Sequence, residues 1–533
     1  MIRSLVSGLM GRCLLLSACV ALAAPLNALA AADEAQALHV LNRISFGPAP
    51  GDLQHVQQIG IDAYIDEQLH PQRLPLPLAL SERLDALPTT RWPVHELVTR
   101  FRAAAATARR DVEAGKAERR DLYRQVALET GEARLLRAVE SPQQLQEVMV
   151  DFWFNHFNVF SGKGMDRVLV GNYEQEAIRP YALGNFRDLL GATAKHPAML
   201  FYLDNWLSEA PGLRPGRGKG AQAKAVGLNE NYARELMELH TLGVDGGYTQ
   251  QDVTELARML TGWTMRPGAA RGDSLFQFDE RRHDQGEKTW LGQRVVQHGQ
   301  AEGEWALDRL AEHPATAHHI AFQLAQYFVD DEPPPALVDR VAKRFSDSHG
   351  NIAAVLKTLF ESAEFRDPSV RSAKFKTPYR YVVSSLRAAG QPVGNVQPLL
   401  GTLAGLGMPL YGCQTPDGYK HTEQAWLNPE AMTRRIGFAI AFTTGRLPLA
   451  RAADAEMTGG AMRPMLESAS YRPSNPSTDG ATEVALSVPP IEAGPLLANL
   501  GPMISAKTRT SVAQADPGLR AALVIGSPDF MRH

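Results

Sequence analysis

The residues best suited to chemistry are concentrated between Asn229 and Trp263, in NENYARELMELHTLGVDGGYTQQDVTELARMLTGW. Apolar positions recur with the helical period on either side of Gly243, Gly246 and Gly247, which predicts two amphipathic helices around a tight turn. At about 100° per residue, Asn231, Glu235 and Glu238 share one face of the first helix. Two carboxylates one turn apart can hold a cation or exchange a proton with a substrate, and Arg234 beside them can stabilise developing negative charge. The same charges also suit an ordinary solvent-facing surface, because Glu230–Arg234 and Arg234–Glu238 have the i,i+4 spacing of helical ion pairs. His240 differs: it falls within the apolar arc of Tyr232, Ala233, Leu236, Met237 and Leu239. In the second helix Thr249 and Asp252 have capping-box spacing, and Glu255 and Arg258 are expected to be structural.

A second helix places polar groups where none are expected. Ser141-Pro142-Gln143-Gln144 has the composition of a capped helix start, and LQEVMVDFWFNHFNVF follows. Its apolar residues occupy most of the circumference, so the helix should be buried. Glu147, Asp151, Asn155 and Asn158 form one narrow polar stripe, while His156 lies opposite, beside Met149 and Phe152. A buried polar stripe either is hydrogen-bonded internally or lines a cavity. Asp151 and Asn155, with Asn231, are the ligand-binding candidates under the second alternative. His156 and His240 are candidate metal ligands or proton carriers, and a metal ion is the one cofactor these residues suggest. His196, Asp204 and His283 are candidates for the mouth of the same cleft, His283 within Arg281-Arg282-His283-Asp284 of a predicted hairpin turn. No Gly-x-Ser-x-Gly elbow, His-Glu-x-x-His zinc helix or dinucleotide glycine fingerprint occurs. Gly218-Lys219 has neither a preceding apolar strand nor a following Ser or Thr, so it is not a phosphate loop.

The elements around these residues are helical nearly throughout. The expected fold is mainly α, a large multi-helix domain over 33–452 with a small β-hairpin element at about 275–296. Residues 33–70 read as two helices and 94–138 as one long charged helical stretch, with a basic, Gly-rich flexible insertion at 209–227. An irregular insertion is expected at 453–490, and a helical segment at 491–533 completes the domain. Lys195-His196-Pro197-Ala198 and Glu312-His313-Pro314-Ala315 echo one another and should mark helix starts. Hydrophobic residues make up 44% of the 533, enough for a sizeable core. A net charge of -3 gives no field suited to nucleic acid.

Residues 1–30 read as an export signal: Arg3 and Arg12, an apolar run from Cys13 to Leu26, and the cleavage pattern Ala28-Leu29-Ala30. The run is too short to span a membrane. Lipid attachment at Cys19, within Leu16-Ser17-Ala18-Cys19, is the weaker reading because only six residues separate Arg12 from Cys19. The expected location is therefore periplasmic or extracellular. Beyond the signal only Cys413 remains, so the exported chain has no internal disulfide.

Several stretches together resemble the bacterial family called domain of unknown function 1800. They are LNRISFGPAP (41–50), VMVDFWFNHFNVF (148–160), KHPAMLFYLDN (195–205), the 229–263 stretch, FDERRHD (278–284), KTWLG (288–292) and WLNPEAMTRRIGFA (426–439). The resemblance implies a mostly exported family without an assigned reaction, and a second exported protein of unknown function as a possible partner. The leading expectation is an envelope or secreted hydrolase-like enzyme with a polar cleft, Glu235 or Glu238 serving as acid or base. A non-enzymatic scaffold or binding protein, and a metal-binding protein, are the alternatives.

Overall fold

The computed structural model describes residues 33–212, 227–266, 275–450 and 489–533. The expected export signal, most of the basic insertion and nearly all of 453–490 lie outside the described residues. The fold is mainly α. The only sheets among the described residues are two antiparallel two-stranded ones, Trp263–Met265 with Phe276–Phe278 and Thr289–Trp290 with Gln293–Arg294. The first pairs Trp263 with Phe278, so its opening strand begins twelve residues before the expected 275–296 span. No helix among the described residues is long and apolar enough to cross a membrane.

Two long helical stretches are divided, each for a local reason. The 94–138 stretch forms Val94–Arg110 and Val112–Glu140, which fold back on one another. The break is Asp111, whose carboxylate accepts from the backbone of Glu113 and Ala114 at 3.0 Å; a short acidic side chain competes with the helix and caps the next one instead. Within 33–70, Gly60 at φ 88° separates Asp52–Ile59 from Ile61–Leu69. The helix expected to open at Ser141 runs from Gln144 to His156: Ser141 caps the backbone of Gln143, and the Gln144 side chain turns away to Phe46, Ala138 and Ser141. The helix expected over 229–242 covers only Asn231–Glu238, so His240 stands beyond its end.

The His-Pro-Ala echo marks two helix starts. His196 and His313 accept the backbone N–H of Ala198 and Ala315 through Nδ1, with Pro197 and Pro314 as first helical residues. One apolar cluster extends from Ala37 to Met531 and encloses the Gln144–His156 helix, with Leu145, Val148, Met149 and Trp153 inaccessible to solvent. The C-terminal residues return to this core, where Lys374 and His533 exchange backbone hydrogen bonds.

The helix Asp166–Tyr173 runs on into a π-helical turn, Glu174–Ile178, closed by the bond from Arg179 N–H to the Glu174 carbonyl. It crosses the Val112–Glu140 helix closely: a Cβ on Gly171 would lie 2.4 Å from Thr130 Oγ1. Thr130 is β-branched and stiff, so it cannot give way. Gly171→Ala should therefore destabilise the protein by about 1–3 kcal/mol, read as a lower urea midpoint at unchanged slope.

Candidate functional site

The polar stripe on the Gln144–His156 helix faces two structures. At one end it meets a buried charge network. Arg179 donates to Glu147 at 2.6 Å and to Glu174 at 3.2 Å; Arg134, from the long helix, donates to Glu174 at 2.8 Å and to Asp151 at 2.5 Å. Tyr411 adds a 2.9 Å hydrogen bond to Glu174. Glu174 and Arg179 are five residues apart, a spacing that the π turn closes in both backbone and side chain. Burial works against the Glu174 carboxylate, but Arg134 and Arg179 outweigh it and hold its pKa below the ordinary value. Asp151 has one guanidinium and is pushed the other way, upward, by burial.

Further along, the stripe fastens a loop. Residues 408–422 form no helix or strand, yet their backbone is held by side chains. Asn155 donates to the Tyr419 carbonyl at 2.8 Å and accepts from its N–H at 2.7 Å. Asn158 donates to Cys413 and Thr415, and the Tyr202 hydroxyl donates to Gln414. Gly418, at φ +67°, permits the contact, since a Cβ there would stand 2.2 Å from the Asn155 carbonyl oxygen. Glu147, Asp151, Asn155 and Asn158 are thus all engaged, as a hydrogen-bonded stripe requires.

A cleft of about 220 Å³ opens beside this loop, walled in part by Asn155, His156, Glu238, His319, Gln323 and His421. Behind the Asn155–Tyr419 pair lies a cavity of about 30 Å³ bordered by Arg134, Asp151 and Tyr411, room for one or two waters. The cleft brings together Asn155, His156 and Glu238 from the expected set. Glu235 is half-buried next to Glu238, and its carboxyl pKa is raised by burial and by that neighbour. Among the described residues neither carboxylate has an ion-pair or hydrogen-bond partner. Arg234 does not pair with Glu238; it binds Glu230 at 3.3 Å and Gln250 at 2.8 Å, because the next helix starts within its reach.

The remaining candidates lie elsewhere. His240 is buried with its ring 6.0 Å from that of His156, but His156 spends Nε2 on the His240 carbonyl at 3.1 Å, so the two rings do not converge on one point. No group of three or more His, Cys, Asp or Glu among the described residues is placed to hold a metal ion. His196 is a buried helix cap that also meets Asn172 at 3.0 Å. Asp204, at φ 60°, pairs with Lys163 at 2.9 Å, and Asn231 is exposed. His283 is no surface turn residue: it is buried against Thr261 and Glu302, in the ion network of Arg258, Asp284 and Lys288 that fastens the hairpins to the neighbouring helices. Glu255 belongs to that network through Arg258, as expected of a structural pair. The largest cavity described, about 560 Å³ beside His70, Arg344 and Lys357, is lined by none of the candidates. The cleft adds His319, Gln323 and the loop residues Asp417, Lys420 and His421, whose only sequence signal was a buried polar stripe in need of partners.

The family model described as Protein of unknown function (DUF1800) matches residues 39–532, and the chain belongs to that family. No curated protein and no solved structure matches it.

Burial lowers the pKa of His39, His156, His196 and His421 from 6.5 to about 3. These imidazoles stay neutral in the fold but take up protons in the unfolded chain. Their contribution to stability is complete above about pH 6.5 and is lost as pH falls toward 3, by up to about 1.4 kcal/mol per pH unit for each histidine. Glu174, with its lowered pKa, adds to this loss at lower pH, whereas Asp151 and Glu235 oppose it. Urea midpoints should therefore fall steeply between pH 7 and pH 5, and a flat profile there would contradict the buried, neutral assignment.

Proposed function

We propose that this protein is an exported, hydrolase-like enzyme acting at the cleft beside the 408–422 loop. The supporting observation is the pair Glu235 and Glu238: two half-buried carboxylates without partners among the described residues, one lining a cavity whose imidazoles are held neutral. A carboxyl group pushed upward beside a second carboxylate can keep a proton while its neighbour accepts one, which is the arrangement general acid–base chemistry uses. Glu235 is then the acid and Glu238, on the cleft wall, the base. Arg234 is committed to Glu230 and Gln250 and supplies only a distant positive field.

One observation favours a second reading, a scaffold working with another exported protein: the stripe of Glu147, Asp151, Asn155 and Asn158 is spent on internal bonds. The unpartnered glutamates separate the two. Glu238→Gln should abolish complementation of a deletion strain while leaving the unfolding temperature within about 1 °C, since it removes no internal bond. Full complementation by the variant would favour the scaffold.

Export is part of the proposal. The protein recovered from the periplasm or medium should begin at Ala31 on N-terminal sequencing. A lipid-modified Cys19 would replace free secretion with anchoring.

A further inference from the structure

The hairpin of Thr289–Trp290 with Gln293–Arg294 and the helix Gln300–Glu312 border a cavity of about 240 Å³ that shares no residue with the cleft. Trp305, Arg309 and Glu312 recur at i, i+4 and i+7, so they lie on one face of the helix. His313 follows them as the cap of the next helix. On the hairpin, Trp290 and Gln293 are cross-strand partners. The two-residue turn between them is left-handed at both positions, Leu291 at φ 49° and Gly292 at φ 73°. Leucine rarely adopts that conformation, and here its N–H is held by Asp252 Oδ1 at 2.8 Å.

Two kinds of surface meet in this cavity. The Trp290 and Trp305 rings stand 5.9 Å apart at 67°, an aromatic corner with Trp290 buried and Trp305 half-buried. Around it lie polar groups whose charges cancel. Arg309 donates to Glu312 as an ion pair within one turn of the helix. His313 accepts the Ala315 N–H through Nδ1, which places its proton on Nε2, and burial lowers its pKa, so the ring stays neutral. The rim therefore offers donors from His313 and Arg309, an acceptor from Glu312, and both from the Gln293 amide, with no net charge.

A hydroxyl both donates and accepts, so it suits a neutral rim of mixed donors and acceptors better than an ammonium or a carboxylate does. The C–H bonds on one face of a pyranose carry slight positive charge and lie well on the electron-rich face of an indole. A lipid chain would cover the rings and leave the polar rim unmatched. We infer that this cavity binds one ring of a neutral oligosaccharide, with its apolar face on Trp305 and its hydroxyl edge toward Gln293, Glu312 and His313. There is room for roughly eight waters, enough for one pyranose ring of about a dozen heavy atoms. The site is separate from the carboxylate cleft and does not depend on the reading of it. It holds a glycan against the protein and takes no part in bond-breaking.

Isothermal titration calorimetry of the purified protein tests it with cellotetraose, maltotetraose and N-acetylchitotetraose, against adenosine and N-acetyl-tryptophan amide as flat aromatic counterparts and tetragalacturonate as an anionic one. At least one neutral oligosaccharide should bind saturably and more tightly than every counterpart. Trp305→Ala should weaken that binding about tenfold or more, and Trp305→Phe, which keeps an aromatic face, less. Gln293→Ala and Glu312→Gln should each weaken it about threefold. Gln293 and Glu312 are exposed, so these two variants should keep the parent unfolding temperature, and they decide the matter if Trp305→Ala folds poorly. No saccharide binding, binding that survives all of these substitutions, or a counterpart preferred to every neutral saccharide would overturn the inference.

Discussion

Glu174 is a carboxylate with almost no contact with water, held by two guanidinium groups and a phenol that arrive from separate parts of the chain. Desolvating such ions costs several kcal/mol each, and the cost is recovered only if every partner is in place. Arg134 brings the long Val112–Glu140 helix, Arg179 the π turn, Tyr411 the start of the covering loop, and Asp151 the central helix. Apolar packing would tolerate several arrangements of these elements. The charges accept one, since a shifted helix would leave an ion unpaired in a medium of low polarity. The rings of Phe154, Tyr379 and Tyr411 around Arg134, each within 5.1 to 5.3 Å, dehydrate the network and strengthen it.

The cleft is built against that fixed assembly. Its back wall is the last turn of the central helix, its roof the loop fastened by Asn155 and Asn158, and its far side the helix that ends at Glu238. Most of its polar groups are locked by bonds to backbone, so they hold position without being free to react. Under the proposed reading, reactivity falls to the few groups without partners among the described residues. That division between a rigid, satisfied surround and a small unsatisfied centre suits a site that must meet its ligand without reorganising.

Much of this was legible in sequence, within definite limits. The mainly α fold, the buried central helix and its polar stripe follow from periodicity, and the structural roles of Glu255, Arg258 and the His-Pro-Ala caps follow from local spacing. What sequence could not supply was the partner of each polar group, because those contacts are remote: Asp151 meets Arg134, Asn155 meets Tyr419 across 264 positions, and Glu238 shares a cleft with His319 and His421. His156 and His240 illustrate the limit. A wheel places each imidazole in an apolar arc and suggests a shared ligand, yet the contact is ring to backbone carbonyl. The breaks at Gly60 and Asp111 failed for a different reason: a single residue interrupts an otherwise continuous helical pattern, and periodicity averages over it.

The covering loop is recognised by its main chain. Asn155, Asn158 and Tyr202 bind peptide groups of Tyr419, Cys413, Thr415 and Gln414, and take no account of what those residues carry. The exceptions include Gly418, pressed against the helix, Gly412, and Tyr411, whose side chain belongs to the Glu174 network. The side chains that the loop presents to the cleft, such as Asp417 and Lys420, can therefore be exchanged with little effect on the scaffold. A lineage can alter what the cleft prefers while keeping its architecture, with selectivity inherited separately from foldability.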